Sequence, residues 1–142
     1  MKISARNQFS GTVCDVKMGI VNAQVSVQLI GGQKIIAAIT KESAENLGIE
    51  VGKSVIALVK APHIMLVTDF AGYTLTARNQ LPGMVKEVQR GAINAEVEIE
   101  LMGGHLIVAT VTNESAENLE LQAGANVSVV FKAGSVILAM QI

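Results

Sequence analysis

The sequence predicts an all-β protein of two tandem five-stranded barrels, each carrying one short helix. Three observations carry that expectation. Residues 1–70 laid over 73–142 align without a gap, with about 28 identical pairs, so the chain is an internal duplication. Within each copy, apolar and polar residues alternate at the period of a strand. One set of helix start and stop signals interrupts the strands at the same point in both copies. The copies divide near "DFAGYTL" (69–75), giving one domain over 1–70 and a second over 71–142, with Gly72 as the flexible point.

An initial strand covers roughly 9–18 and 81–90, entered through "SARNQ" (4–8) and "TARNQ" (76–80). The clearest alternation follows in "AEVEIEL" (95–101), where Val97, Ile99 and Leu101 face one way and Glu96, Glu98 and Glu100 the other. "AQVSVQL" (23–29) reads the same way with Gln and Ser outward. Gly31-Gly32 and Gly103-Gly104 supply the positive-φ residues of a tight hairpin into strands at 34–39 and 106–111. Thr40 then suits an N-cap, Lys41 to Leu47 a helix, and Gly48 its C′ residue. Copy two repeats this from Thr112 to Leu119, but Glu120 stands where the Gly was, so that end is less well specified. Strands at 54–60 and 126–132, then short ones at 63–67 and 135–139, complete each copy. Five strands with a helix between the third and fourth are the order of an OB-type barrel.

Composition narrows the function. Half of the residues are hydrophobic, yet there are three Phe, one Tyr and no Trp, so the core is aliphatic. Each copy is near the lower size limit for an independent core, and the surplus of aliphatic residues points to burial between subunits. A formal charge of −1, scarce aromatics and the acidic Glu96/Glu98/Glu100 face argue against nucleic acid. Cys14 is the sole cysteine, which rules out an intrachain disulfide and a cysteine-built metal site. No stretch has the length of a signal peptide's apolar run or a membrane span, so the expectation is a soluble cytoplasmic protein with no membrane partner.

The polar residues common to both copies are rich in donors: Ser4/Thr76, Arg6/Arg78, Asn7/Asn79, Gln8/Gln80, Asn22/Asn94, Thr40/Thr112, Ser43/Ser115, Asn46/Asn118 and Lys60/Lys132. Hydroxyls, amides, cations and the free N–H groups of a helix's first turn suit a compact anion. The plainer reading makes Thr40 and Ser43 a capping pair, and Glu42, matched by Glu114, would repel an anion at that terminus. His63 and His105 do not correspond, so a shared metal-cation or catalytic site using them is not expected. No catalytic triad, carboxylate pair or phosphate-cradling loop is common to both halves, and the expectation is a protein that is not an enzyme.

"SARNQFSGTV", "TARNQLPGMV", the "VNAQVSVQLIGGQKIIAAITKESAENLGI" block and the strand-end Lys60/Lys132 resemble the Mop domain of the molbindin family. The tandem arrangement is similar to that family's two-domain molybdate-binding type. The resemblance covers essentially the whole chain, twice. It implies OB-type barrels assembled as homotrimers that hold molybdate or tungstate between subunits, with no organic cofactor. It further implies one site wall from Ser4, Ala5, Arg6, Asn7, Lys60 and Ala61, facing Thr40, Glu42 and Ser43 of a neighbouring domain. The second copy offers Thr76, Ala77, Arg78, Asn79, Lys132 and Ala133, facing Thr112, Glu114 and Ser115. Relatives often have Ser after the strand-end Lys, so Ala61 and Ala133 remove a hydroxyl there while keeping the backbone N–H. Sequence leaves open which wall pairs with which. The function implied is storage or homeostasis of the oxyanion. The alternatives are an oxyanion-sensing regulatory module acting through a protein partner, or an oligomeric structural protein without ligand.

Overall fold

Alternation in sequence becomes alternation in burial. In Asn94–Leu101 the side chains of Ala95, Val97, Ile99 and Leu101 are buried while the intervening Glu residues reach solvent. The computed structural model describes residues 1–142. Repeat one contains β1 (Asn7–Met18), β2 (Asn22–Leu29), β3 (Lys34–Thr40), α1 (Lys41–Leu47), β4 (Ser54–Val59) and β5 (Met65–Val67). Repeat two follows the same order with β6 (Asn79–Arg90), β7 (Asn94–Leu101), β8 (Leu106–Thr112), α2 (Asn113–Asn118), β9 (Asn126–Phe131) and β10 (Ile137–Ala139). Five strands per repeat with a helix after the third is the expected order.

The boundaries differ from expectation by more than one residue at two places in each repeat, each for a visible reason. β1 and β6 begin at Asn7 and Asn79, because these residues already pair with Val59 and Phe131. The last strands begin late, at Met65 and Ile137, because Ala61–His63 and Ala133–Ser135 wind a single 3-10 turn first. β1 and β6 also carry a bulge between Val13 and Asp15 and between Val85 and Glu87, which bends each long strand around its barrel. Just before the bulges, Gly11 and Gly83 leave no room for a side chain. A Cβ at Gly11 would lie 2.6 Å from Val27 Cγ1 and 2.7 Å from the Gln28 carbonyl oxygen.

Each sheet is antiparallel and takes its fifth strand from the other repeat. The orders are β10-β4-β1-β2-β3 and β5-β9-β6-β7-β8. Ile137 of β10 pairs with Leu58, and Met65 of β5 pairs with Val130. Residues 1–70 and 71–142 are thus units of sequence, whereas each folded sheet is assembled from both. A Phe70–Tyr73 turn joins the repeats, with Ala71 and Gly72 at φ 50° and 81° and the Ala71 N–H donating to Asp69 Oδ1. The two β-hairpin tips meet: a Cβ on Gly31 would approach Gly103 Cα to 3.2 Å. One continuous cluster of 27 buried residues, drawn from both repeats, forms the core.

Candidate functional site

The repeated pentapeptide is held in shape by its own glutamine. Gln8 Nε2 donates to the Ala5 carbonyl at 3.1 Å, and Gln80 Nε2 donates to those of Ala77 and Leu75 at 2.9 and 3.1 Å. This tucks Ala5 and Ala77 inward and leaves Ser4, Arg6, Thr76 and Arg78 exposed. Asn7 and Asn79 are buried, at 2% and 1% exposure. Asn7 Nδ2 donates to the Val108 carbonyl at 2.9 Å while its Oδ1 accepts from the Val108 N–H at 2.8 Å. Asn79 makes the same pair with Ile36, both bonds at 2.8 Å. Since β3 and β8 end their sheets, each amide supplies the edge of the opposite repeat with one rung of hydrogen bonding. Both polar atoms of these side chains are therefore committed within the chain.

Register brings the strand-end lysines to the same place. Asn7 faces Val59 and Asn79 faces Phe131, so Lys60-Ala61 and Lys132-Ala133 lie beside the residues preceding each Asn. Lys60 and Lys132 are exposed, and Ala61 and Ala133 are buried. Lys60, Lys132 and Arg78 enter no ion pair. Arg6 does: its Nη1 lies 2.7 Å from Glu96 Oε1. That Glu comes from β7 of the other repeat.

The helix starts form the second group. Thr40, extended at φ −71°, accepts from the Ser43 N–H at 3.1 Å and donates its hydroxyl to Ser43 Oγ at 2.8 Å. Thr112 repeats both bonds with Ser115, at 3.0 and 2.8 Å. The capping role is thus observed, and in this arrangement the Ser43 and Ser115 hydroxyl protons stay free to donate outward. Glu42 and Glu114 stand exposed in the first turns.

Within one chain the Asn anchor of each wall sits on the edge strand that leads to the other repeat's helix start. The wall of repeat one rests on repeat two: Asn7 is pinned to Val108, and the turn after Lys60 packs against β8. Thr112 lies four residues farther along that strand, roughly 13 Å at strand rise. Arg6 reaches back over part of that span, to Glu96 opposite Thr110. The mirror arrangement holds for Asn79, Lys132 and β3 leading to Thr40. Glu87, Glu96 and Glu98, gathered around Arg6 in a pocket of about 110 Å³, were not among the sequence candidates. The alternation of Glu96 and Glu98 with Glu100 marked an acidic face, but the neighbourhood of Arg6 depends on how the repeats pack. His105 Nε2 lies 2.6 Å from the Ile30 carbonyl and its ring meets Phe9 edge-on, whereas His63 sits exposed on the 3-10 turn.

The TOBE domain family model matches this chain twice, over residues 3–66 and 75–138. A crystal structure of the cytoplasmic molybdate-binding protein ModG with molybdate bound superposes with a TM-score of 0.96. It is 51% identical, covering 99% of this chain and 100% of that one. The molybdenum transport protein ModE of Herbaspirillum seropedicae is 43% identical over 141 residues, which is 99% of this chain and 52% of that protein. The molybdenum-pterin-binding protein MopA of Rhodobacter capsulatus is 38% identical over 140 residues, 99% of this chain and 53% of its own. The chain spans about half the length of the curated relatives it matches.

Proposed function

The chain belongs to the TOBE-domain family, carrying that domain in tandem as a Mop-type protein, and from this premise we propose that it binds molybdate without catalysing a reaction on it. The observation that carries the proposal is the likeness, over the full length of both chains, to ModG with molybdate bound. The chemistry of the repeated groups agrees. Molybdate is a fully deprotonated tetrahedral dianion at neutral pH, so hydroxyls, backbone N–H groups and cations suit all four oxygens. Phosphate retains a proton there and needs an acceptor. Tungstate shares the charge and shape of molybdate and is proposed as a second ligand. The role is cytoplasmic storage and homeostasis of the oxyanion, with no organic cofactor, nucleic acid or membrane as partner. No helix is long and apolar enough to cross a membrane.

The proposed sites lie between subunits of a homotrimer. Ser4, Ala5, Arg6, Lys60 and Ala61, and their counterparts Thr76, Ala77, Arg78, Lys132 and Ala133, face the Thr40–Ser43 or Thr112–Ser115 helix start of a neighbouring chain. Asn7 and Asn79 hold these walls from behind. Two features support completion by another chain: the four residues of strand between each Asn anchor and the cap beyond it, and exposed aliphatic residues beside the caps. Ile20 and Val21 are 93% and 69% exposed, and Ile93 is 74% exposed. The Val21 and Ile93 carbonyls accept from the N–H groups of Lys41 and Asn113, the first residues of the two helices. Burying such side chains against a second copy contributes roughly 1.5–3 kcal/mol each. Equilibrium dialysis tests the function: saturable uptake of molybdate above a sulfate control is expected, and its absence refutes it. Sedimentation equilibrium is expected to give the mass of three chains.

A second reading, an oxyanion-sensing module acting through a protein partner, is favoured by the half-length match to ModE. A partner retained from cytosol only in the presence of molybdate is its test.

A further inference from the structure

The 72-residue repeat gives the two anion walls the same residues except for Ser4 against Thr76, and the side chains around each arginine differ further. Arg6 shares its pocket with Glu87, Gln89, Glu96, Glu98 and Val108. Shifting each position by the repeat places Asp15, Lys17, Gln24, Ser26 and Ile36 around Arg78. The Asn clamps show that the shift is valid in space, because Asn7 pairs with Val108 where Asn79 pairs with Ile36. Three carboxylates surround Arg6, and one of them holds its guanidinium at 2.7 Å. By that shift the carboxylate facing Arg78 is Asp15 alone, with Lys17 beside it, and Arg78 enters no ion pair.

We infer that each chain carries two unequal oxyanion sites, with Glu96 as the residue that lowers affinity at the Arg6 wall. The inference rests on the molybdate-binding reading and adds an order of filling to it. An incoming dianion at Arg6 must compete with Glu96 for the guanidinium and is repelled by Glu87 and Glu98. At Arg78 it meets an unengaged guanidinium with an ammonium nearby. Arg6 and Glu96 are each about half exposed in the single chain, so the difference is moderate and falls as salt rises. The Arg78 wall fills first.

Molybdate titration by isothermal calorimetry at low ionic strength, on the intact chain, tests this with Glu96→Gln and Gln24→Glu. The unmodified protein is expected to show two classes of site. Glu96→Gln should tighten the weaker class by about 10-fold and bring the two together, while Gln24→Glu should weaken the tighter class by about as much. Both positions are surface strand residues, and circular dichroism checks that each variant keeps its fold. Uptake that neither substitution alters overturns the inference and leaves the functional reading standing. No saturable uptake by the unmodified chain overturns both.

Discussion

Asn7 and Arg6 are neighbours with different duties. Asn7 is buried with both amide atoms on the Val108 backbone, while Arg6 is exposed and ion-paired across the repeats. Truncating Asn7 strands the half-buried N–H and carbonyl of Val108 on an edge strand, so Asn7→Ala should cost about 1–3 kcal/mol. Urea unfolding measures this, and Asn79→Ala should match it through Ile36. The arginines should behave in the opposite way. Arg78→Ala removes no intrachain partner, so stability should hold while molybdate affinity falls by about 10- to 100-fold, as expected for one charge-assisted bond. Dialysis and a melting curve on the same sample separate the two effects. Residue types had placed both side chains in one donor list, because an amide and a guanidinium look alike as donors. Burial assigns them different work.

The helices show how far local signals reach. Thr40 and Thr112 cap as their positions in sequence suggest, and Gly48 closes α1 at φ 62°. Copy two has no glycine there, yet the chain still turns: Glu120 takes φ 53°, and the Leu121 N–H bonds to the Ala116 carbonyl as the Ile49 N–H does to that of Ala44. The less specified end is therefore a strained one, and α2 stops at Asn118, one residue earlier than its counterpart. A left-handed conformation costs a non-glycine residue roughly 1–2 kcal/mol, partly offset by glycine's greater freedom when unfolded. Glu120→Gly should thus stabilise by about 0.5–1 kcal/mol, read as a raised urea midpoint with unchanged slope. Gly48→Ala is expected to move in the opposite direction.

Across the whole molecule the exchange of β5 and β10 binds the repeats into one unit. Each sheet contains strands from both repeats, and the buried cluster is continuous through them. Unfolding should be a single transition in which calorimetric and van't Hoff enthalpies agree. A fragment ending at Gly72 keeps β5 but loses β9, its partner. It is expected to pair with a second fragment by reciprocal strand exchange, so that sedimentation equilibrium gives pairs of fragments or, with the proposed trimer interface retained, six. A folded monomeric fragment would show that β5 can return to its own sheet.

The sequence by itself determined the duplication, the strand order, the helix and its caps, and the donor-rich segments, because each is written in local period or in identity between copies. It left open where β5 and β10 pair and which groups surround Arg6. The reason is the duplication itself: β4 and β9 are near-equivalent partners, and a five-residue link after either strand suits a return to the same sheet or a crossing to the other. Only packing chose the crossing. That choice set the Asn clamps on the opposite edges and brought Glu96 to Arg6.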